Sequence, residues 1–200
     1  MYPYSKTSVA VVMTVVFVTL ATLGVVDTWA ATPAEPSAVL MTFAALGEKS
    51  GAVYYASPGG MGDGSSWGNA GDLQSLVNTA AAGDEVWAAA GTYTGLANSV
   101  LTLKAGVAVY GGFSGVETER AQRDWRANAT IIDGENARRC VVGANDAVLG
   151  GFTITRGATT EDGGGMYNNG AAPAVFNCTF VGNESGDDGG GMYNSNASPE

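Results

Sequence analysis

Two aspartates, Asp162 and Asp188, occupy the same place in two nearly identical segments of this chain. Each immediately precedes three glycines, and the two positions define a 26-residue period. If the segments stack like neighbouring strands, the carboxylates lie about 5 Å apart. Such a pair could offer oxygen ligands to Ca²⁺, or it could supply the acid and base of a glycoside hydrolase.

The repetition of these aspartates favours a structural role over a catalytic one, because an active site needs different residues in one place. The chain also contains no histidine. This removes the commonest general base and every histidine-dependent nucleophile or metal ligand. We therefore predict no catalytic residue and no organic cofactor, and we interpret Asp162 and Asp188 as turn residues that could form a weak Ca²⁺ site.

The repeat extends beyond these turns. Residues 161–173 and 187–199 agree at nine of thirteen aligned positions, and a fixed period of about 20 to 50 residues is typical of a solenoid. Carried backwards, the same offset aligns residues of one class: Met192 with Met166 and Cys140, Phe180 with Ile154, Cys178 with Phe152, Thr179 with Thr153, and Val175 with Leu149.

These alignments predict two short strands in each repeat. One strand lies around Met166 and Met192, and the other runs from 149 to 155 and from 174 to 181. Apolar residues alternate with threonine in the second strand, which is the pattern of a half-buried strand. The predicted inward residues are Val86, Val109, Ile132, Phe152, Ile154, Met166, Phe176, Cys178, Phe180 and Met192, with Thr153 and Thr179 outward.

Short strands that recur at the same position in each repeat, separated by Gly-rich turns, predict an all-β fold of the parallel β-helix type. The alternative is a calcium-binding roll, which is built from nonapeptides with an aspartate at a fixed place. Residues 59–63 place Asp63 one position too early for that motif and occur once. The spacing therefore favours the β-helix.

A helix is predicted before the repeats, near residues 72–82, with Asp72 as its N-cap and Gly83 as its stop. A solenoid must cover the open end of its core, so this helix is predicted to be the N-terminal cap. Its apolar residues recur at helical spacing: Leu73, Leu76, Val77 and Ala80.

A long charged segment, residues 111–128, separates strands around Tyr110 and Ile132. We interpret these two residues as equivalent positions of one less regular repeat. Long loops on a rigid scaffold often carry binding sites. Alternatively, Phe113 and Trp125 pack this loop against the strands.

The N-terminus has the pattern of an export signal in residues 1–30, with an uncharged apolar run over 9–26. That run is also long enough to span a bilayer, so the segment is either a cleaved signal peptide or a retained membrane anchor. Residues 31–51 form a predicted linker, and the β-helix is predicted over 52–200.

The formal net charge of −10 argues against nucleic acid and anionic membrane surfaces as partners. Basic residues are confined to the first part of the chain. Six of the nine are arginines between Arg120 and Arg156. All charged residues after Arg156 are acidic. Contact with a membrane is expected only through the N-terminal segment or a missing C-terminal anchor.

Several motifs in combination resemble bacterial secreted right-handed parallel β-helix repeat proteins of the pectin-lyase-like superfamily, which are related to polymorphic outer-membrane repeat proteins. The resemblance covers residues 52–200. It rests on GDGSSW (62–67), AGDEVW (82–87), GTY (91–93), VYGGF (109–113), QRDW (122–125), GFTI (151–154), GGGMYN (163–168) and NCTF (177–180).

The resemblance implies a three-faced right-handed coil at the cell surface, in the bacterial cell envelope or outside the cell. It implies no particular reaction, because the superfamily contains lyases, hydrolases, epimerases and adhesins. The predicted function is a non-enzymatic scaffold that binds polysaccharide or another cell surface. The alternative is a polysaccharide lyase or glycoside hydrolase whose active coil lies beyond residue 200, since the second repeat stops at Glu200 and the β-helix is expected to be truncated there.

Overall fold

The computed structural model describes residues 51–199. The predicted export segment and all of the linker except Gly51 lie outside the described residues. The elements in chain order are β1 (Val53–Ala56), a 3-10 helix (Trp67–Asn69), α1 (Leu73–Thr79), β2 (Glu85–Ala89), β3 (Gly91–Tyr93), β4 (Ser99–Thr102), β5 (Ala108–Phe113), a second 3-10 helix (Arg120–Gln122), β6 (Thr130–Asp133), β7 (Arg139–Val142), β8 (Val148–Gly150), β9 (Thr153–Thr155), β10 (Ala158–Thr159), β11 (Met166–Asn169), β12 (Ala174–Phe176), β13 (Thr179–Val181), β14 (Glu184–Ser185) and β15 (Met192–Ser195).

Most of these strands lie in three parallel sheets. Sheet 1 has the order β1-β2-β5-β8-β12, sheet 2 the order β3-β6-β9-β13, and sheet 3 the order β4-β7-β11-β15, while β10 pairs with β14. The chain therefore enters the three sheets in turn, and each pass adds its strands beside those of the pass before. The described residues are thus predominantly β with parallel sheets and one α-helix, an arrangement compatible with a β-helix-like solenoid.

The 26-residue period is confirmed between the last two passes, where Met166 pairs with Met192 and Ile154 with Phe180. One pass earlier the offset changes. Met166 pairs with Val141, so the predicted alignment of Met166 with Cys140 is wrong by one position. The connections between sheets differ in length from pass to pass, and the period differs with them.

The long loop between β5 and β6 accounts for the largest irregularity. Glu85 pairs with Ala108 in sheet 1, whereas Gly91 pairs with Thr130 in sheet 2, so the paired residues are much farther apart in the chain in sheet 2. The loop, residues 114–129, is inserted between the two sheets of one pass. Tyr110 in β5 and Ile132 in β6 therefore lie in different sheets, and interpreting their spacing as one repeat is wrong.

The second predicted strand of each repeat is in fact two strands that belong to different sheets. Between β12 and β13 the chain turns a corner at Asn177, whose φ of 53° is left-handed. The corner breaks the alternation of inward and outward residues. Phe176 consequently points outward and is 40% exposed, so its predicted inward orientation is wrong. Val175 packs against the core instead.

The core lies between the three sheets and receives side chains from all of them. Six of the residues predicted to face inward are fully buried: Val86, Val109, Ile132, Phe152, Ile154 and Met166. Three more, Cys178, Phe180 and Met192, are half-buried against the core. Of the two threonines predicted to face outward, Thr179 is exposed and Thr153 is half-buried.

Helix α1 begins as predicted, because the Asp72 side chain accepts a hydrogen bond from the Ser75 backbone N–H at 2.8 Å. It ends at Thr79, earlier than the predicted stop at Gly83. The ammonium group of Lys104 explains this end, since it donates to the Asn78 and Ala80 carbonyl oxygens at 2.8 and 2.6 Å. All four predicted apolar residues of the helix are buried: Leu73, Leu76, Val77 and Ala80.

The helix also closes the outer edge of sheet 3. The Gln74 side-chain oxygen accepts the Thr102 backbone N–H at 2.6 Å, and its amide nitrogen lies 3.2 Å from the Thr102 carbonyl oxygen. Thr102 belongs to β4, the edge strand of that sheet, so Gln74 takes the place of one residue of a neighbouring strand. The helix therefore packs against the first strands of the sheets, and its role as a cap stays a prediction.

No helix among residues 51–199 is long and apolar enough to cross a membrane.

Replacing Phe152 with alanine should lower the free energy of unfolding by about 3 to 5 kcal/mol, because the ring is buried at the junction of sheets 1 and 2. Thr153→Ala is the matched control next in sequence, and its effect should be well below that of Phe152→Ala. Denaturant midpoints of the two variants measure the difference. The opposite ranking would mean that the assignment of inward and outward residues in this segment is incorrect.

Candidate functional site

The structure brings together the two aspartates singled out by their spacing. The Asp162 side chain accepts a hydrogen bond from the Asp188 backbone N–H at 3.0 Å, which joins one turn to the next. One carboxylate oxygen each from Asp162, Asp187 and Asp188 lies within 4.8 Å of the others. Sequence reasoning missed Asp187 as a member of this cluster. The signal was available, since Glu161 is acidic at the equivalent position of the first copy.

The glycines that follow each aspartate let these turns approach closely. A Cβ atom on Gly165 would lie 2.2 Å from the Gly191 carbonyl oxygen, which belongs to the equivalent turn of the next pass. No side chain can be accommodated at that distance. The shared pattern of the two copies is therefore explained by turn stacking, and the aspartate before the glycines takes part in the same contact.

Arg139 braces the first of these turns. Its guanidinium donates to the Gly163 and Asp162 carbonyl oxygens at 2.9 and 2.6 Å and lies 4.6 Å from the centre of the Tyr167 ring. The Tyr167 ring stacks in turn on that of Tyr193, with centroids 5.6 Å apart and planes 6° apart. Neighbours therefore occupy the faces of Tyr167, and a sugar ring could not stack on it without displacing them.

The long loop covers a column of aromatic side chains on the outside of sheet 1. Tyr55, Trp87, Tyr110 and Phe176 share this column with Gly150, because these five residues are paired in register along the sheet. Trp87 and Tyr110 are only 4% and 7% exposed. They form a second apolar cluster together with Phe113, which stacks on Trp87 with ring centroids 4.8 Å apart.

Arg123 anchors the loop over that column. It donates to the Gly111 and Gly150 carbonyl oxygens, both at 3.0 Å. Its guanidinium also lies 4.9 Å from the Tyr110 ring centre and 5.2 Å from that of Trp125. Of the two interpretations of the loop, the structure favours packing: Phe113 is fully buried and Trp125 is half-buried against Arg123.

A carboxylate inside the loop, that of Glu117, organises its first turn. Its oxygens accept hydrogen bonds from the Ser114, Gly115 and Val116 backbone N–H groups and from the Ser114 hydroxyl, at 2.7 to 3.0 Å. Burial alone raises the pKa of Glu117, but the hydrogen bonds from Ser114 and Val116 outweigh it and lower that pKa from 4.5 to about 2. The ionised carboxylate therefore stabilises this turn.

A groove in the described part of the chain lies where the chain crosses from sheet 2 to sheet 3. It has a volume of about 910 Å³ and is lined by the crossings of four successive passes: residues 96–98, 136–139, 158–161 and 184–186. Most of the lining side chains carry a hydroxyl, amide, guanidinium or carboxylate group. The lining residues without such a group are Leu96, Ala97, Ala137, Ala158 and Gly186, and Leu96 is completely exposed.

The groove follows from a change in crossing length. Five residues separate β3 from β4 and β6 from β7, whereas ten separate β9 from β11 and β13 from β15. The longer crossings contain the pair β10 and β14 and the Asp-Gly-Gly-Gly turns. They stand beside the shorter crossings, and the groove runs across both kinds, along the direction in which the passes stack.

No family model, no curated protein and no solved structure matches this chain. The resemblance to pectin-lyase-like proteins therefore remains a prediction from the sequence motifs. Among the described residues, the features considered for a function are the groove, the acidic turns beside it and the covered face of sheet 1.

Calcium should raise the melting temperature if Asp162, Asp187 and Asp188 act as a weak site, because carboxylate oxygens are its preferred ligands. A double Asp162→Asn, Asp188→Asn variant should lose this shift, while Asp124→Asn, a change on the long loop, should keep it. Thermal unfolding with and without millimolar Ca²⁺ measures the effect. An unchanged melting temperature in the parent protein would show that the cluster serves the turns alone.

Stability should fall as the pH is lowered from about 4.5 towards 2, in part through Glu117. Its pKa is lowered by folding, so its contribution is fully present above the unfolded value near 4.5 and is lost as the pH approaches the folded value. Urea unfolding from pH 7 to pH 2.5 should show that Glu117→Gln is less stable than the parent at pH 7 and that the gap narrows in acid. A gap that is constant across this range would contradict the role of the carboxylate.

Proposed function

We propose that this chain is an exported β-helix repeat protein whose groove binds an extended glycan without cleaving it. The three sheets are interpreted as the faces of a right-handed parallel β-helix, with each pass as one coil. The observation that carries the proposal is the groove across the sheet 2 to sheet 3 crossings, because it is open at the surface and runs along the stacking direction. A polymer of sugar units can lie along such a groove and meet one crossing after another.

The chemistry of the lining supports a polyhydroxylated ligand. Asn98, Asn136, Thr159, Thr160 and Ser185 offer amide and hydroxyl groups that can both donate and accept hydrogen bonds. Apolar ligand sites are instead lined mainly by hydrophobic and aromatic side chains. The covered face of sheet 1 is less suitable, since its aromatic column is already packed beneath the loop.

Binding without turnover is supported by the way the charged groups are used. Arg139 holds backbone carbonyl oxygens, and Arg138 pairs with Glu135. Asp162 is engaged in joining one turn to the next. With no histidine in the chain, a cleaving site in the described groove would have to rely on its glutamates and arginines, and both arginines already hold other groups.

The proposed location is the bacterial cell surface or the extracellular space, in keeping with the predicted export segment. The proposed partner is a polysaccharide of a cell wall, a matrix or another cell. In this role the stacked coils form a rigid support, and their crossings form the contact surface.

Blocking the groove should abolish retention on glycan columns. Ala137 is exposed and lines the groove, so Ala137→Trp should fill the space while leaving the fold intact. Ala121→Trp is the matched control, because Ala121 is exposed on the long loop, outside this groove. Affinity electrophoresis against a panel of polysaccharides should show retention for the parent and for Ala121→Trp, and a loss of at least tenfold for Ala137→Trp.

The same panel should be assayed for new reducing ends and for unsaturated products. We expect none. Cleavage that Ala137→Trp abolishes would replace the binding proposal with an enzyme, and equal retention by both tryptophan variants would move the site away from the groove.

A further inference from the structure

Acidic side chains outnumber basic ones around the groove. The three segments 135–139, 158–162 and 184–188, which form its walls or adjoin them, contain two basic residues, Arg138 and Arg139. The same segments contain six carboxylates: Glu135, Glu161, Asp162, Glu184, Asp187 and Asp188. The lining alone is balanced, with two arginines and the two glutamates Glu161 and Glu184, and the adjoining carboxylates make the surroundings of the groove net negative.

The two arginines are also less accessible than the acids. The side chains of Arg138 and Arg139 are only 17% and 13% exposed, because Arg138 pairs with Glu135 and Arg139 braces the turn at Asp162. The Glu161 side chain is 82% exposed, and its ion pair with Arg139 is a loose one at 3.7 Å. The two guanidinium groups are mostly buried and already bonded within the protein. The charged groups that a ligand can reach most easily are therefore carboxylates.

Glu184 adds a second exposed carboxylate to the groove, in the pass after that of Glu161. It is the partner of Ala158 in the paired strands β10 and β14, is exposed, and has no ion pair within residues 51–199. Glu161 and Glu184 thus line neighbouring crossings of the same groove. Thr159, Thr160 and Ser185 line the same groove and carry hydroxyl groups.

We infer that the glycan bound in this groove carries free amino groups, as a polymer of glucosamine-type units does. This inference rests on the proposed glycan-binding function and adds the class of ligand. Ammonium groups can pair with Glu161 and Glu184 while the sugar hydroxyls bond to the threonine and serine side chains. A polyuronate would bring its carboxylates against these two glutamates, while the two groove arginines are mostly buried and already engaged by other groups.

Three polymers, each cut to short chains of similar length so that all stay in solution, test the inference: a deacetylated glucosamine polymer, its N-acetylated counterpart, and polygalacturonate. Binding to the full chain is measured by calorimetry at low and at high salt concentration. We expect the amine polymer to bind at least about fivefold more tightly than the other two. Its affinity should fall at the higher salt concentration, because screening weakens exposed charge pairs.

A double Glu161→Gln, Glu184→Gln variant should lose about fivefold in affinity for the amine polymer and most of the salt dependence. The control is Glu119→Gln with Asp146→Asn, which removes the same charge from exposed positions outside the groove. That control should bind like the parent. Thermal unfolding of both doubles verifies that each is folded.

The outcomes separate the inference from the proposed function. Equal or tighter binding of polygalacturonate, or equal binding of the N-acetylated polymer, would overturn the amine requirement and leave glycan binding in place. Equal loss of affinity in the control double would show non-specific attraction between a polycation and an acidic protein, and would also overturn it. Failure of all three polymers and of every polysaccharide in the panel would reject the proposed function itself.

Discussion

Hydrogen bonding between strands of successive passes is the constraint on which the rest of this structure depends. Each strand of the three sheets pairs with strands of the pass before or after it, far away in the sequence, and all of these pairs are parallel. The strands are short, from two to six residues. No single pass can therefore satisfy its own backbone or bury its apolar residues, and stability comes from the neighbouring passes.

This constraint also explains where the chain is free to vary. Pairing fixes the strands, but the residues between them need only return the chain to the next sheet. Crossings of five or ten residues and the loop at 114–129 are accommodated in the same three sheets. The surface features that could bind a ligand are consequently built from crossings, while the strands supply their spacing and rigidity.

Pattern and spacing were sufficient to predict the parallel strands, the 26-residue period of the last two passes, the N-cap at Asp72 and the buried side of α1. These features are governed by local rules, namely side-chain alternation, capping and direct repetition. The errors arose where the geometry depends on a corner residue or on the length of a crossing. The corner at Asn177 reverses the side to which Phe176 points, and a small difference in crossing length moves the partner of Met166 from Cys140 to Val141.

The groove and the outer aromatic cluster were beyond sequence analysis for a different reason. Their residues come from separate passes, and their proximity depends on how crossings of unequal length are stacked. Arg139 illustrates this point. The sequence analysis assigned it no role, yet it contacts a turn of the following pass and is largely buried there. The Asp162 and Asp188 pair could be predicted because the repeat places both at one position.

Gly150 interrupts the aromatic column of sheet 1, and its position ties a loop to a strand. A Cβ atom there would lie 2.8 Å from the Phe176 ring, and the Gly150 carbonyl oxygen accepts a hydrogen bond from Arg123. Residues 123, 150 and 176 are thus mutually dependent, although they come from a loop and from two different strands. The loop is therefore not an interchangeable module. An engineer who wished to graft another loop onto this face would have to redesign the strand residues beneath it at the same time.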